Sequence, residues 1–365
     1  MPPLSGNAES LPELKVCYFG TYERAYPRNA QVIACLREAG VEVVEWHVPV
    51  WDGRRENWRA GGRAALRLAA AEVRLLAASA VDADALIVGY PGHLDLPAAR
   101  RAAQGRPVVF NPLLSLADTL VSDRARFRAG SFVARALEQL DRASFDAADL
   151  VIADTDAQRR FFEQLTRTAV EVCFIGAEER VFTPGWTPPS AFEVLFVGKL
   201  IPLQGVDVVL AAARRAPELR FRIVGSGQLS ALLADAPENV VHCPWLPYDE
   251  LPHALHGAGC ALGIFGTSDK ARRVIPNKAY QALACATPLV TADTPAAREL
   301  LVDGESALLV PPGDADALAE AVRRLAGDPQ LAAHLSTGGR TAYEQRASEA
   351  VLGAQWRGLV ERVID

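Results

Sequence analysis

The sequence predicts an α/β protein of two Rossmann-like domains whose parallel sheets face a central cleft. Its 365 residues exceed what one hydrophobic core usually supports. Short β-branched apolar runs alternate with Ala-, Leu- and Arg-rich stretches of helical spacing, a pattern typical of parallel sheets covered on both faces. Midway, "TPGWTPP" at 183–189 interrupts any regular element with proline and glycine, which indicates a linker between two halves.

Each predicted strand is a short run of apolar and β-branched residues. In the first half these runs lie at 15–20, 41–48, 84–89, 107–110, 149–153 and 170–175. In the second half they lie at 192–198, 219–225, 239–243, 260–265, 287–292 and 306–310. The predicted units are residues 1–185, residues 186–345 and a last helix at 346–365. Because open parallel sheets bind ligands beyond the carboxyl ends of their strands, the loops there are the candidate site.

Composition disfavours several classes of function. The net charge of −6 argues against a nucleic-acid binder, which usually carries a basic excess. No apolar run reaches the length of about 18–20 residues that spans a bilayer. The stretch "MPPLSGNAES" lacks a secretory pattern, and six scattered cysteines are typical of free thiols in a reducing compartment. We therefore expect a cytoplasmic protein.

The stretch "FVGKLIPLQGVDVVL" at 196–210 reads as a strand, a tight turn and the start of a helix. Gly198 allows a sharp turn, and Gly205 allows close backbone approach at the helix entry. Free N–H groups and the helix dipole favour an anion there, and Lys199 adds a charge. Lysine is otherwise rare, with four lysines among 38 basic residues. The turn therefore predicts a phosphate or diphosphate site, the alternative being an ordinary loop with a surface lysine.

Several motifs of the second half, in order, resemble those of GT-B glycosyltransferases, particularly the large family 4 of retaining sugar transferases. They are the turn itself, "IVGSGQL" (223–229), "NKAYQALACATPLV" (277–290) and "ARELLVDGESALLVPPGDADALAEAV" (297–322). The first half resembles the family only in layout, through "DLVIADTDAQRRFF" (149–162). The resemblance implies a GT-B fold whose last helix packs back on the first domain. It also implies transfer of a sugar from a nucleoside-diphosphate donor to an acceptor hydroxyl, with retention.

The resemblance also assigns roles to individual residues. Gly198 and Lys199 match the family's glycine–arginine pair that contacts the donor diphosphate, and Lys199 would stabilise the charge developing during transfer. Gln204 stands where the family usually has lysine. Arg273 and Gln281 stand where the family has two glutamates, the second of which binds the ribose hydroxyls. These three altered charges imply either a variant donor site or a degenerate, non-catalytic copy.

Other predicted donor contacts surround this turn. Gly225 and Ser226 belong to the second motif, and the loop with Trp245 and Leu246 matches the region that holds the nucleobase. The stretch "SDKARRVIPNKAYQ" at 268–281 supplies further cations close to a helix start. Its candidate residues are Lys270, Arg273, Pro276, Asn277 and Lys278. A solvated basic loop is the alternative interpretation of that stretch.

In the first domain, polar residues follow two predicted strands. Gly20 and Thr21 follow the first strand and, with Tyr22 and Arg28, are candidates for contacts with the acceptor or the diphosphate. His93 and Asp95 follow the strand at 84–89 and are the predicted catalytic residues, because a histidine there could act as a base near neutral pH. The alternative is a loop histidine that caps the next helix.

No metal site and no tightly bound cofactor are predicted. The donor is expected to be a UDP- or GDP-sugar, and the acceptor a glycan, a lipid or a small molecule. Arginines 55, 59, 63 and 67 form a stripe that is either a solvated helix face or a weak peripheral contact with the inner membrane face. The oligomeric state is left open.

Two other functions are compatible with the sequence. One is a catalytically idle partner protein that binds sugar nucleotide, and the other is a GT-B sugar-nucleotide epimerase. An NAD-dependent dehydrogenase is disfavoured, because "YFGTYER" lacks a Gly-x-Gly-x-x-Gly fingerprint after the first strand.

Overall fold

A computed structural model describes residues 14–24, 26–50, 62–77 and 80–365, and it describes the backbone alone at 62–65. The predicted α/β class is confirmed, and each of the twelve predicted strands is present. The strands form two six-stranded parallel sheets, the first from β1–β6 and the second from β7–β12. The chain therefore has two Rossmann-like domains.

The strands of the first sheet are β1 (Lys15–Gly20), β2 (Glu42–His47), β3 (Ala85–Val88), β4 (Val108–Phe110), β5 (Leu150–Ala153) and β6 (Val170–Val172). Those of the second are β7 (Glu193–Val197), β8 (Arg220–Val224), β9 (Val240–Cys243), β10 (Cys260–Leu262), β11 (Leu289–Ala292) and β12 (Leu308–Val310). The strand orders are β2-β1-β3-β4-β5-β6 and β12-β11-β10-β7-β8-β9.

Helices follow most strands. Those of the first domain are α1 (Pro27–Glu38), α2 (Gly62–Leu76), α3 (Leu96–Ala103), α4 (Phe132–Asp146) and α5 (Asp156–Phe162). The later ones are α6 (Val206–Arg215), α7 (Leu251–His256), α8 (Asn277–Ala284), α9 (Pro295–Arg298), α10 (Ala315–Gly327), α11 (Pro329–Arg346) and α12 (Glu349–Ile364). A π-helical turn also forms at Asp118–Asp123, after β4.

The order of the strands determines where a ligand can bind. In the second sheet the order reverses between β7 and β10, and in the first it reverses between β1 and β3. Helices leave these neighbouring strands on opposite faces, which opens a crevice beyond their carboxyl ends. The loops that border the two crevices are 198–205 and 263–276 in the second domain, and 20–24 and 89–95 in the first.

The last helix packs back on the first domain, as the resemblance predicted. A β-carbon added to Gly353 of α12 would lie 2.4 Å from the carbonyl oxygen of Cys35 in α1, so the two helices touch through a glycine. Trp356 is fully buried between them, and Arg357 donates to the carbonyl of Ala39 at 3.1 Å. One apolar cluster runs from these helices through the first sheet into α8 and joins the two domains.

Two further sequence predictions concern thiols and membranes. All six cysteines are unpaired, and five are buried, whereas Cys243 is half-buried. Within the described ranges, none of the helices combines the length and apolarity needed to cross a bilayer.

Candidate functional site

The turn after β7 is held in shape by close backbone packing. Gly205 has a φ of +69°, and a β-carbon there would lie 2.7 Å from the backbone of Phe265. Gly225, at the end of β8, approaches the carbonyl of Gly198 so closely that a side chain could not fit between them. Glycine is therefore required at both positions. The turn lies at the reversal of strand order in the second sheet.

Two polar side chains converge under this turn without a partner. A β-carbon placed on Gly198 would lie 3.2 Å from Gln204 Oε1 and 3.4 Å from Lys278 Nζ. Both of those atoms are buried, and neither has a hydrogen-bond partner within the described residues. The Lys278 Nζ atom also lies 3.5 Å from the ring centre of Phe196. A buried amine and a buried amide oxygen thus lie beside the glycine turn that was predicted to hold a diphosphate.

The buried amine of Lys278 has no counter-ion among the described residues. Burial lowers the pKa of its amine well below the usual value, and no anionic side chain in the described part of the chain offsets that effect. Lys278 belongs to the first turn of α8, whose N-terminus at Pro276 and Asn277 has no side-chain cap. A helix start without a side-chain cap and a buried amine therefore lie at one place. An anion bound there would restore the charge of Lys278 and satisfy the helix terminus.

Lys199 faces the first domain across the cleft. Its side chain is exposed, and partial desolvation by the surrounding protein lowers its pKa. Glu23 and Arg124 of the first domain are close enough to affect that pKa, the carboxylate raising it and the guanidinium lowering it. Gly198 and Lys199 thus lie at the cleft, and their contact with a donor diphosphate stays a prediction. Arg124 adds a cation that the sequence prediction did not include.

Lys270 and Arg273 contact the first domain in this structure. Lys270 Nζ donates to Thr119 Oγ1 at 2.6 Å, and Arg273 forms an ion pair with Asp118 at 2.8 Å. The guanidinium of Arg273 also stacks over the ring of Phe161, at 4.0 Å from its centre. Both residues were predicted to bind the donor, whereas the structure gives them partners across the domain boundary.

A second contact between the domains lies beside this pair. The carboxylate of Glu299 accepts hydrogen bonds from the backbone N–H groups of Asp156 and Ala157, at 2.6 and 2.9 Å. These groups form the N-terminus of α5, so a carboxylate from the second domain caps a helix of the first. The hydroxyl of Thr155 donates to the carbonyl oxygen of Arg273. Polar contacts thus hold the two domains together on one side of the cleft.

The predicted nucleobase and ribose residues lie in two different environments. Trp245 is exposed in the loop after β9, and Leu246 packs against the core beside it. Gln281 is buried and lines a void of about 10 Å³ beside Leu251, which is too small for a base. Ser226 is exposed at the end of β8.

His93 and Asp95 are buried behind the first-domain loops. His93 packs edge-on against Phe110, and its Nε2 lies 3.4 Å from Asp141, whose carboxylate accepts the backbone N–H of Leu116 and of Ala117. Burial lowers the pKa of His93, which favours the neutral imidazole. The direct catalytic role predicted for His93 therefore has no geometric support.

Asp95 supports the loop that follows β1. Its carboxylate accepts from the backbone N–H of Thr21 at 2.6 Å and from its hydroxyl at 3.0 Å. A β-carbon on Gly20 would lie 2.1 Å from the same carboxylate, so these residues are packed together. Thr21 is buried and hydrogen-bonded to Asp95 rather than presented to the cleft. Asp95 is thus a positioning residue, and the catalytic prediction has no geometric support for it either.

Sequence reasoning missed a group of buried polar atoms at the carboxyl end of the first sheet. Asp154 Oδ1, Asn111 Nδ2, Gln158 Nε2 and the Tyr280 hydroxyl are buried without a hydrogen-bond partner in the described part of the chain. Burial raises the pKa of Asp154 to about 7, although the nearby Arg28 guanidinium acts to lower it. Asp154 is the first residue after β5, so the strand-end rule applied to all strands would have included it.

The predicted arginine stripe lies largely outside the described residues. Positions 55 and 59 are not described, and the backbone alone is described at position 63. Arg67 is exposed on α2. Among the described residues, no three histidine, cysteine or acidic side chains are grouped to hold a metal ion.

Residues 191–328 match the family described as "Glycosyl transferases group 1". The second domain is a glycosyl transferases group 1 domain. The matched range contains the turn at Gly198, Lys199, the 268–281 stretch and Glu299. Gln204, Lys278 and Glu299 therefore all belong to this domain.

Two proteins that are similar in sequence are named as glycosyltransferases. A "D-inositol 3-phosphate glycosyltransferase" of Acidothermus cellulolyticus is 30% identical over 252 residues, which cover 59% of this chain and 55% of the relative. A "Phosphatidyl-myo-inositol mannosyltransferase" of Mycolicibacterium smegmatis is 32% identical over 179 residues, which cover 46% and 43%. The chain thus spans about half the length of the curated relatives it matches.

The GT-B fold is shared with solved structures over nearly the whole chain. Sucrose-phosphate synthase from Thermosynechococcus elongatus superposes with a TM-score of 0.75 at 16% identity, over 96% of this chain and 99% of that one. Anabaena HepE in complex with UDP-glucose superposes with a TM-score of 0.67 at 15% identity, over 96% and 100%. The glycosyl transferases group 1 domain and the domain before it therefore together form a GT-B fold.

Proposed function

We propose that the protein transfers a sugar from a nucleoside-diphosphate donor to an acceptor hydroxyl, with retention of configuration. The observation that carries this proposal is the buried, unpartnered amine of Lys278 beside Gln204 and the Gly198 turn. A buried amine without a counter-ion is costly, unless a ligand supplies the anion. The diphosphate of a donor sugar fits that requirement, with Lys199 on its cleft side.

Two altered family positions support a working donor site rather than a degenerate one. Gln204 replaces the usual lysine, yet the amine of Lys278 and the Gln204 amide lie beside the same glycine, and Lys278 would supply the same charge from α8 once a diphosphate binds. The positive charge is thus moved from the turn to the adjacent helix. At Gln281, a second altered position, the amide oxygen can still accept a hydrogen bond from a hydroxyl, although a carboxylate would accept a stronger one.

The proposed chemistry places little demand on a protein nucleophile. The bond between the sugar C1 and the diphosphate oxygen breaks, and its electron pair stays with the leaving diphosphate. The acceptor oxygen bonds to C1 and passes its proton to that diphosphate. Lys199, Lys278 and the N–H groups at the start of α8 stabilise the charge that develops there. Asp95 and His93 act by holding the loops on the first-domain side.

The donor and acceptor classes are part of the proposal. We propose a UDP- or GDP-sugar as donor, and membership of family 4. For the acceptor we propose a hydroxyl of a polyol, a glycan or a lipid headgroup, since the names of the sequence relatives include an inositol phosphate and a phosphatidyl-inositol. We also propose a cytoplasmic location and domain boundaries at residues 185 and 345.

The test of turnover is release of free nucleoside diphosphate from a panel of UDP-, GDP-, ADP- and dTDP-sugars. Ligands that bind the native state raise its melting temperature, so a thermal-shift panel identifies the donor first. Release of diphosphate in the presence of an acceptor supports the transferase. Donor binding without turnover would support the idle partner, which the Arg273–Asp118 pair favours because it engages a motif residue in a contact between domains. Conversion of the donor to another sugar nucleotide would support the epimerase.

Removing the amine at position 278 and placing a lysine at position 204 tests the role of Lys278. We expect Lys278→Gln to lower kcat/KM about 100-fold, because a charge-assisted contact to the diphosphate is lost. Adding Gln204→Lys to that variant should raise kcat/KM again by about tenfold, since the new lysine supplies the positive charge from the turn. Lys15→Gln is the matched control, because Lys15 lies at the amino end of β1, away from the cleft.

A second variant distinguishes a role of Lys278 in donor binding from a purely structural role. Replacing an unpaired buried amine with an apolar chain should raise the melting temperature while weakening donor binding. Lys278→Met is therefore expected to be more stable and less able to bind the donor. A variant that loses stability and keeps donor affinity would contradict the assignment.

A further inference from the structure

The chain segment before α4 has an unusual surface. Residues 124–135, "RARFRAGSFVAR", contain four arginines and no acidic residue, in a protein with a net charge of −6. Phe132 is 84% exposed and Val133 is 40% exposed, although both are large and apolar. Arg128 and Arg135 are exposed beside them. We call residues 124–135 the arginine–phenylalanine segment.

Other exposed apolar side chains lie on the same edge of the first domain. The strands are parallel, so the helices that follow them begin at one edge of the sheet. The arginine–phenylalanine segment leads into α4 at that edge, and Leu94 immediately before α3 is 42% exposed. Leu66, near the start of α2 as described, is 73% exposed, and α2 packs beside α3. Apolar and basic groups thus follow the first-domain rim of the cleft.

Single exposed apolar residues are ordinary on a protein surface, whereas several on one rim with arginines between them are not. The combination of aromatic and aliphatic groups with cations is typical of surfaces that lie at the headgroup level of an anionic bilayer. There, arginines meet lipid phosphates and the apolar side chains enter the acyl boundary. The acidic remainder of the chain would be repelled by the same surface, which would orient the molecule with this rim towards it.

We propose that the arginine–phenylalanine segment docks the first domain on an anionic lipid surface. Docking at this rim directs the cleft towards the bilayer, so that an acceptor headgroup could reach it. This use of the surface depends on the proposed transferase function, but the docking itself does not. Arg67 and Arg74 on α2 are exposed as well and extend the basic surface next to Leu66.

The test is flotation of the full chain with vesicles of phosphatidylcholine alone and with added phosphatidylglycerol. We expect the protein to bind the vesicles that contain phosphatidylglycerol and not those of phosphatidylcholine alone, and we expect salt to weaken the binding. The double variants Phe132→Asp with Val133→Asp, and Arg128→Glu with Arg135→Glu, should each reduce binding about tenfold or more. Matched controls on the second domain are Val302→Asp, where Val302 is 53% exposed, and Arg324→Glu, where Arg324 is exposed.

The outcomes separate docking from folding and from catalysis. Because the altered side chains are exposed, the variants should keep the melting temperature and the donor binding of the unaltered chain. Absence of binding to anionic vesicles, or equal loss in the second-domain controls, would overturn the proposal. A change of oligomeric state in the Phe132 variant without any lipid binding would also overturn it and assign the surface to a protein. Lipid binding by a chain that fails to turn over any donor would leave docking supported and the proposed transferase refuted.

Discussion

Asp154 shows how burial at the cleft changes the chemistry of one side chain. Its carboxyl group follows β5, is buried, and has one oxygen without a partner in the described chain. Desolvation raises its pKa to about 7, from a usual value of 3.8. The folded protein therefore holds a proton that the unfolded chain has lost between those two pH values. The stabilising contribution of this group is fully present below about pH 4 and is lost as the pH rises through 7.

Asp154→Asn should flatten this dependence, because the amide resembles the protonated acid. We expect the fall in melting temperature between about pH 5.5 and pH 8.5 to be smaller in the variant than in the unaltered chain. Asp156→Asn is the matched control, because the Arg159 guanidinium lowers the pKa of Asp156 and moves its titration below this window. Equal slopes in all three proteins would refute the prediction.

At the residue scale, the sequence could predict which loops border the cleft but not the direction of each side chain. His93 follows a strand, as predicted, yet its ring points into the core towards Phe110 and Asp141. Arg273 was predicted as an anion ligand, and its anion is Asp118, 155 positions away in the chain. A cation in a loop has the same sequence pattern whether it binds a ligand or a carboxylate of another domain. Only the packing distinguishes the two.

At the element scale, the junction between α5 and the second domain links helix capping to domain contact. Two N–H groups at the start of α5 are satisfied by Glu299, the residue that follows α9 in the second domain. The local sequence offers Thr155 as an ordinary cap, and its hydroxyl does accept the N–H of Gln158. Local sequence rules therefore predict the start of this helix correctly and cannot predict its second, distant cap.

Removing that distant cap should be measurable. We expect Glu299→Ala to destabilise the fold by about 1–2 kcal/mol, the cost typical of losing a capping side chain. Thermal unfolding would record it, with Glu320→Ala on the exposed face of α10 as a control. The prediction fails if the two variants have the same melting temperature.

At the scale of the whole molecule, α12 fixes the chain's end against its first helix. The twelve strands followed from apolar runs because parallel strands buried on both faces leave a strong signal. The return of α12 followed from the family resemblance and not from any local pattern. Its contact depends on the missing side chain of Gly353, which lets the helix lie against the backbone of α1 at Cys35.

Two glycines of α12 should respond in opposite ways to the same substitution. A β-carbon at Gly353 would lie 2.4 Å from a backbone oxygen, whereas at Gly358 the nearest atom is the end of the Arg362 side chain, 3.9 Å away. Gly358→Ala should stabilise the helix by about 0.5–1 kcal/mol, and Gly353→Ala should destabilise the fold by separating α12 from α1. Urea unfolding of both variants measures this, and a stabilised Gly353→Ala would contradict the described contact.

The scarcity of lysine has a practical consequence for handling the protein. Lys199, Lys270 and Lys278 lie around the cleft, and Lys15 at the amino end of β1 is the only other side-chain amine in the sequence. Of these four side chains only Lys199 is exposed, so reagents that couple through side-chain amines would act first on the cleft side of the proposed donor site. A dye or a sensor surface attached in this way would block the function it was meant to report.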